Sequence, residues 1–210
     1  VVGCTYVKEN LIAKMSTNAA MLFEVAYVRA EQILDNKNED WDECLSLALD
    51  RQSKYFDAEL PEKLTELDLS IAKKTANNLV KSIRFFENDS QDLRAIQSPE
   101  IPGYQWIGQG YGDFSVGTTL IEVKCSGRNF SSSDYRQILI YWLLSFSFSI
   151  ESDTQEWKSG ILLNPRLNKY VEINFNELIK VAGAGRSKIE ILELFSSLVG
   201  GYAYKLGSLP

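Results

Sequence analysis

The chain has 210 residues, 45% of them hydrophobic, which suits one globular domain with a helical addition. It contains no histidine, so a histidine base or a histidine-bound zinc is excluded within this chain. Any metal ion must then be held mostly by oxygen ligands, which favours Mg²⁺ or Mn²⁺. The net charge is −6, and residues 1–50 alone carry 4 basic and 9 acidic side chains, so the acidity belongs to the N-terminal part.

Three cysteines stand far apart in the sequence, at Cys4, Cys44 and Cys125. An odd, scattered set argues against a disulfide framework and falls short of the four thiolates that an iron–sulfur cluster needs. The pattern favours a reducing compartment, so we expect a cytoplasmic protein. The longest apolar stretch, about residues 138–150, is too short to span a bilayer, and no membrane association is expected.

Apolar periodicity predicts three helices in the N-terminal part, over residues 17–35, 41–56 and 64–87, the last as one long helix or two short ones. Residues 36–42 form a polar, acidic break between the first two. The third helix carries a polar stripe, formed by Lys73, Asn77, Lys81 and Arg84. This stripe is either a solvated helix face or a wall that contacts phosphates.

The pattern changes after residues 88–103, which are polar, contain two prolines and read as a connection. Short runs rich in β-branched and aromatic residues predict strands at 104–107, 112–116, 119–125, 160–163 and 170–175. A helix at about 133–149 interrupts them, and a last helix covers about 187–199, ahead of Gly200 and Gly201. This order predicts an α/β protein, with a mixed central sheet flanked by helices and an N-terminal helical portion.

Charged residues stand on one face of the strand predicted at 119–125. Because side chains alternate along a strand, Glu122 and Lys124 share a face, and the residues between and beside them point to the core. The turn at Gly117 folds the preceding strand back, which can bring Asp113 near Glu122. The two carboxylates and the main-chain carbonyl of Val123 would then form an oxygen-lined pocket for a hard divalent cation.

Two polar side chains on the following helix are expected to lie near the same carboxylates. Gln137 and Tyr141 are four residues apart and therefore share a helix face. Their amide and hydroxyl could fix the lysine, a water or a substrate phosphate. Lys124 would act as a fixed positive charge that orients the attacking water. With a divalent ion to offset charge on a phosphodiester, this set of groups points to a metal-dependent nuclease.

Substrate contacts are expected where this helix begins, because helix N-termini favour anions. We expect a phosphate near the serine cluster at residues 131–134, with Arg128 and Arg136 on either side. Ser126, in the loop that leads to the cluster, is a further candidate substrate contact.

An acid-x-Lys triplet by itself is weak evidence. The sequence contains three, namely Asp35/Lys37, Glu156/Lys158 and Glu122/Lys124. The first two lie in polar segments and indicate surface charge. The third lies in an apolar strand, nine residues after an acid on its own strand. Its alternative interpretation is a structural ion pair at a sheet edge, with the Gln-x-x-x-Tyr pair capping a core helix.

The combination Asp113, then Glu122-Val123-Lys124, then Gln137-x-x-x-Tyr141 resembles the PD-(D/E)XK, or restriction-endonuclease-like, nuclease superfamily, and in particular its RecB-like branch. The resemblance implies a restriction-endonuclease-like fold. It also implies that Asp113 and Glu122 are metal ligands, that Lys124 is the catalytic lysine, and that Gln137 and Tyr141 are accessory site residues. One departure is that Gly112, rather than proline, precedes Asp113.

These families often carry a further metal-facing glutamate on the first core helix. By resemblance Glu24 is the candidate for this ligand, and Glu31 is the runner-up. The resemblance further implies a single nuclease domain over residues 1–210, with a catalytic core at about 18–35 and 104–175 and a helical insertion at about 37–97.

The expected function is therefore Mg²⁺-dependent hydrolysis of phosphodiester bonds in DNA, with Mn²⁺ able to substitute. RNA is the alternative substrate, and a partner subunit or a homo-oligomer is compatible with the sequence. The expected setting is restriction, anti-phage defence or DNA processing. The alternative function is a nucleic-acid-binding or assembly subunit on a nuclease-like fold, inactive without a partner.

Overall fold

The computed structural model describes residues 1–53, 63–90, 93–152 and 154–206, with side chains up to residue 200. The chain forms two compact units. The helical unit comprises Val1–Leu93, Val123–Asn129 and Leu163–Tyr170. The sheet unit comprises Arg94–Glu122, Phe130–Leu162 and Val171–Pro210.

The helical unit contains the first four helices, which are α1 (Glu9–Ile12), α2 (Ala19–Leu34), α3 (Trp41–Gln52) and α4 (Glu66–Asp89). The predicted helices at 17–35 and 64–87 are confirmed, and the second of them is one continuous helix. The short helix α1 was not predicted. The predicted extension of α3 to residue 56 falls on residues outside the described ranges.

Apolar side chains from three helices form the core of the helical unit. Helix α2 packs against both α3 and α4. Val25 of α2, Cys44 of α3, and Leu79 and Ile83 of α4 are almost completely buried. Each such side chain contributes on the order of 2 kcal/mol through burial, so this packing stabilises the 24-residue helix α4.

A capping box fixes the start of α4. The Thr65 hydroxyl accepts from the N–H of Asp68, and the Asp68 carboxylate accepts from Thr65 in return. Ser16 donates to the same carboxylate from its hydroxyl at 2.6 Å and from its N–H at 3.1 Å. Burial alone raises the pKa of Asp68, but these hydrogen bonds outweigh burial and lower the pKa to about 2.

We expect Asp68 to make the stability of the protein depend on acid pH. Its folded-state pKa lies below its usual value of 3.8, so its stabilisation is present above about pH 4 and is lost as pH falls to about 2. The loss should be about 2 kcal/mol. Urea unfolding of wild type and Asp68→Asn at several pH values measures it. The difference between the two proteins should shrink below pH 4, and a constant difference down to pH 2 would contradict the assignment.

The sheet unit is built on a mixed five-stranded sheet with the order β1-β4-β5-β6-β7. The strands are β1 (Ala95–Gln97), β2 (Glu100–Ile101), β3 (Gly110–Tyr111), β4 (Phe114–Val116), β5 (Thr119–Val123), β6 (Ser159–Asn164) and β7 (Lys169–Asn174). Strands β1 and β5 both pair antiparallel with β4, and β2 pairs with β3 in a separate two-stranded sheet.

Two strand predictions were wrong in this unit. The segment 88–103 was expected to be a connection, but it contains β1 and β2. The segment 104–107 was expected to be a strand, but Tyr104 and Ile107 form an isolated bridge that closes a tight turn. Strands β1 and β2 form because β4 and β3 pair with them from later in the chain, and β-propensity depends on such pairing. The bridge at 104–107 is local and belongs to a turn.

Three helices complete the unit, namely α5 (Ser132–Ser152), α6 (Phe175–Ala182) and α7 (Lys188–Leu206). Trp142 of α5 is fully buried and stacks on Phe146 and Phe175, with ring centroids 5.4 and 5.5 Å apart. Gly160 of β6 allows the close approach of α5, because a Cβ there would lie 2.6 Å from the Ile138 Cδ1. This contact fixes α5, and with it the candidate site residues Gln137 and Tyr141.

The expected stop at Gly200 and Gly201 is wrong, because α7 runs through both glycines to Leu206. A glycine inside a helix costs only about 1 kcal/mol. Tertiary contacts oppose this cost: Phe195 stacks on Tyr104 at 5.9 Å, and the Trp106 indole N–H donates to the Val199 carbonyl at 2.8 Å. Over the described ranges, no helix is long and apolar enough to cross a membrane.

Candidate active site

The β4–β5 hairpin brings two acidic residues to facing positions. Its register pairs Phe114 with Ile121 and Val116 with Thr119. Continued by one residue, the same register sets Asp113 opposite Glu122. Directly opposed residues of an antiparallel pair point to the same face, with Cβ atoms about 4.5–5.5 Å apart. The turn at Gly117, which has a φ of +55°, thus returns Asp113 toward Glu122 as the sequence predicts.

Gly112 packs closely against Leu120 and lies beside the Glu122 carboxylate. A Cβ at position 112 would lie 2.9 Å from the Leu120 Cδ1 and 3.4 Å from the Glu122 Oε1. The Gly112 N–H donates to the Pro99 carbonyl at 2.9 Å, which fixes this close approach. In the sequence, Gly112 stands out only as a departure from the family pattern. The pattern missed its role, since the contact joins two strands and no local signal reports it.

Gln137 connects the sheet to α5. Its amide donates to the Glu122 Oε2 at 3.2 Å and to the Tyr141 hydroxyl oxygen at 3.0 Å. Glu122 is only 2% exposed, whereas Asp113, Gln137 and Tyr141 are partly exposed. Four of the predicted site residues, Asp113, Glu122, Gln137 and Tyr141, therefore come together within the sheet unit.

The environment of Tyr141 keeps its hydroxyl protonated. Burial raises the pKa of Tyr141, the hydrogen bond from Gln137 lowers it, and the charges of Glu122 and Asp113 raise it. The net shift is upward, so the phenol stays neutral well above neutral pH. Because the charges of both carboxylates act on this hydroxyl, Tyr141 can serve as a hydrogen-bond donor beside them.

Lys124 is the first residue after β5, and it belongs to the helical unit. Its N–H donates to the Leu163 carbonyl at 2.7 Å, so the strand pairing continues through it. The loop beyond it is fixed by Asn164, which donates to the Ser126 carbonyl at 2.8 Å. The Ser126 hydroxyl donates to the carbonyl of Arg128, whose side chain is exposed.

Hydrogen bonds within the chain already link the residues at the predicted phosphate position, at the start of α5. The Asp134 carboxylate accepts from both the N–H and the hydroxyl of Ser131 at 2.7 Å. Arg136 is exposed one turn further on. Asp134 thus accepts from two donors at the position where the sequence predicts a phosphate. The roles of Arg136, Arg128 and Ser126 in substrate binding stay predictions.

The two candidate helix glutamates both lie in the helical unit, where they share one cation. Arg51 forms ion pairs with Glu24 at 3.3 Å and with Glu31 at 2.7 Å. Burial raises the pKa of Glu31, the Arg51 hydrogen bond and charge lower it, and the net shift is upward. Gln52 also donates to Glu24, at 3.4 Å. That either glutamate binds a metal stays a prediction.

The donor atoms of the sheet unit suit a small, hard divalent cation. Within the described ranges, no group of three or more His, Cys, Asp or Glu residues is arranged to hold a metal. Mg²⁺, however, is commonly held by one or two carboxylates and takes its other ligands from waters and substrate phosphates. Asp113 and Glu122 on one face of the hairpin therefore fit Mg²⁺ or Mn²⁺, whereas a softer metal would lack thiolate or imidazole ligands.

Comparisons of the chain with protein-family models, with curated proteins and with solved structures give no match.

Proposed function

We propose that this protein is a Mg²⁺-dependent nuclease of restriction-endonuclease-like fold, which hydrolyses phosphodiester bonds in DNA. The observation that carries the proposal is the placement of Glu122, a carboxylate only 2% exposed that is held by Gln137 and faces the Asp113 position. Burying a carboxylate is costly, and such groups cluster at functional sites. The resemblance of the motif favours a role in restriction, anti-phage defence or DNA processing.

The oxygen donors for the metal are the carboxylates of Asp113 and Glu122 and the main-chain carbonyl of Val123. When bound, a divalent ion there would polarise the phosphodiester and help to activate the attacking water. The hydrogen bond from Gln137 fixes the orientation of Glu122, and groups that orient a ligand in this way strengthen metal binding.

The remaining residues act on the substrate and the water. Lys124 stands two residues after Glu122 in the chain and supplies a positive charge, which favours the deprotonated state of the attacking water. The same charge offsets the negative charge that grows on the phosphoryl oxygens. Tyr141 stays neutral and can donate to a phosphate oxygen. No histidine is needed for any of these roles.

A cleavage panel tests the proposal. Labelled single-stranded DNA, duplex DNA and matched RNA forms are incubated with the full chain and Mn²⁺, with EDTA as the blank. We expect at least one DNA form to be cleaved, with no cleavage in EDTA. If none of the DNA forms is cleaved, or if cleavage survives EDTA, the assignment is overturned.

A second candidate function is a nucleic-acid-binding or assembly subunit that requires a partner for activity. The concentration of acidic residues in positions 1–50, 9 against 4 basic ones, favours a basic protein partner. The same panel with and without the products of neighbouring genes separates the two functions. Cleavage that appears only with such a partner would select this second function.

We expect Gln137→Ala to reduce cleavage by about 10- to 100-fold, since a hydrogen bond to a charged group contributes about 1.5–3 kcal/mol. The variant loses the amide that holds Glu122 and contacts Tyr141. Single-turnover cleavage rates measure the effect. The matched control is Gln109→Ala, which removes an exposed glutamine of the same unit. Equal losses in both variants would contradict the positioning role of Gln137.

A further inference from the structure

We propose that α4 and Tyr170 form a binding surface for single-stranded nucleic acid. This surface shares no residue with the candidate active site. The inference rests on the proposed function for the choice of nucleic acid as ligand. Every residue that forms this surface belongs to the helical unit. Two independent features of this unit carry the inference, a lysine-lined cavity and an exposed pair of aromatic rings.

The cavity has a volume of about 320 Å³ and lies between α4 and the N-terminal segment. Lys73, Lys74 and Lys81 line it together with Ser70 and the asparagines at positions 77 and 78. The described residues that line it include no acidic side chain. Its polar, cationic walls suit a phosphate-bearing ligand, whereas small-molecule pockets are mostly apolar.

The charge of this stretch of α4 is opposite to that of the whole chain. Residues 69–86 contain four basic side chains and no acidic one, whereas the chain has a net charge of −6. Lys73 is paired with Glu39 at 2.9 Å. Over the described ranges, Lys74 has neither an ion pair nor a hydrogen bond, so its ammonium group can bind a ligand. Such local clustering of basic residues is typical of surfaces that bind nucleic acid.

Hydrogen bonds hold the cavity wall in place. The Asn78 amide donates to the Thr5 carbonyl at 2.8 Å and accepts from the Thr5 N–H at 3.2 Å. The Lys81 ammonium donates to the Gly3 carbonyl at 2.7 Å. Asn78 is almost completely buried, so the N-terminal segment is fixed against α4 without a ligand.

An aromatic pair continues the cavity along α4. Lys74, Lys81 and Phe85 are seven and four residues apart, so they lie on one face over roughly 16 Å. Phe85 and Tyr170 are each 40% exposed, and their ring centroids are 6.3 Å apart. The buried Phe86 packs edge-on against both rings, at 5.4 and 5.3 Å, and so holds them in position.

These two features together select single-stranded nucleic acid. Proteins that bind single strands combine a basic groove for the backbone with aromatic side chains on which bases stack. A duplex keeps its bases stacked on each other and would leave the Phe85–Tyr170 pair unused. We therefore assign backbone phosphates to Lys74 and Lys81, and an unpaired base to the two exposed rings.

Fluorescence anisotropy with a labelled oligothymidylate of about 12 nucleotides tests the surface, using the full chain in EDTA so that no cleavage occurs. For Lys74→Gln/Lys81→Gln we expect binding at least about tenfold weaker, and a salt dependence reduced by about 1.4 in log–log slope for two lost phosphate contacts. The charge-matched control is Lys14→Gln/Lys180→Gln, which alters two exposed lysines elsewhere and should change binding little.

The aromatic pair is tested separately. Phe85→Leu should weaken binding by about tenfold, and Phe85→Trp should restore it, because stacking contributes about 1–3 kcal/mol per base. Phe148→Leu, at a site 43% exposed in the sheet unit, is the matched control. Equal affinity for a duplex, equal competition by polyglutamate, or unchanged binding by the lysine or Phe85 variants would each overturn the proposal. If the protein binds single-stranded DNA but cleaves none of the DNA forms, the binding surface is supported and only the nuclease assignment is contradicted.

Discussion

Lys124→Ala is expected to abolish detectable DNA cleavage while the protein remains folded. Removing the positive charge that the proposed mechanism assigns to Lys124 should reduce the rate by about 10²- to 10⁴-fold. The fold should survive because the contact that continues the strand is made by the backbone, through the Lys124 N–H and the Leu163 carbonyl at 2.7 Å. A substitution to alanine leaves this bond in place.

The chain provides its own matched control for this experiment. Lys158→Ala removes the lysine of a second acid-x-Lys triplet. Lys158 is exposed, and its N–H donates to the Thr118 carbonyl. Rates of both variants are measured under single-turnover conditions with Mn²⁺, and circular dichroism checks the folding of each. Wild-type-level cleavage by pure, folded Lys124→Ala protein would falsify the catalytic assignment, as would an equal loss in Lys158→Ala.

Asp113→Asn is expected to remove measurable Mn²⁺ binding. Two carboxylates face each other across the β4–β5 hairpin, and the substitution takes one charge from the pair. Loss of a group that merely orients a ligand costs about 10- to 100-fold in metal affinity, so loss of a ligand itself should cost at least about 100-fold. Calorimetric titration of the full chain with Mn²⁺ measures this directly, without DNA.

An exposed aspartate serves as the control for the titration. Asp42 lies in the first turn of α3, far from the hairpin in sequence. Asp42→Asn makes the same change in charge as Asp113→Asn. Its Mn²⁺ affinity should equal that of the wild type. An unchanged titration for Asp113→Asn would remove Asp113 from the set of metal ligands, and a loss in both variants would indicate non-specific binding.

The sequence was sufficient to predict the long helices, whereas the short helices α1 and α6 were not predicted. The 3.6-residue pattern of residues 64–87 corresponds to α4, because this helix buries one apolar face. The long apolar run at about residues 138–150 corresponds to α5, in which residues 142–147 are all buried. The Gln137–Tyr141 pair follows from the same geometry, since residues four apart share a face in any helix. For the same reason, the polar stripe with Lys73, Asn77 and Lys81 could be read from the sequence, although its cavity could not.

Strand pairing was harder to predict from the sequence. The hairpin of β4 and β5 was predicted, because a glycine turn separates two apolar runs over a few residues. Strand β1 was missed, since three residues gain strand geometry only by pairing with β4. The end of α7 was also mispredicted, as Trp106 and Tyr104, about 90 residues away in the chain, contact the helix and offset its glycines.

The sequence alone determined which groups are available for chemistry. Without histidine, a metal centre in this chain must rely mostly on oxygen ligands, and the alternation of β5 places Glu122 and Lys124 on the same face of the strand. Only the tertiary structure decided how those groups are held. The amide of Gln137 reaches Glu122 from α5, and Gly112 allows the close approach of Leu120 beside that carboxylate. Phe85 and Tyr170 meet across 85 residues of chain. Such contacts depend on how helices and strands pack. Packing brings together residues far apart in the chain, and no local sequence pattern predicts these pairs.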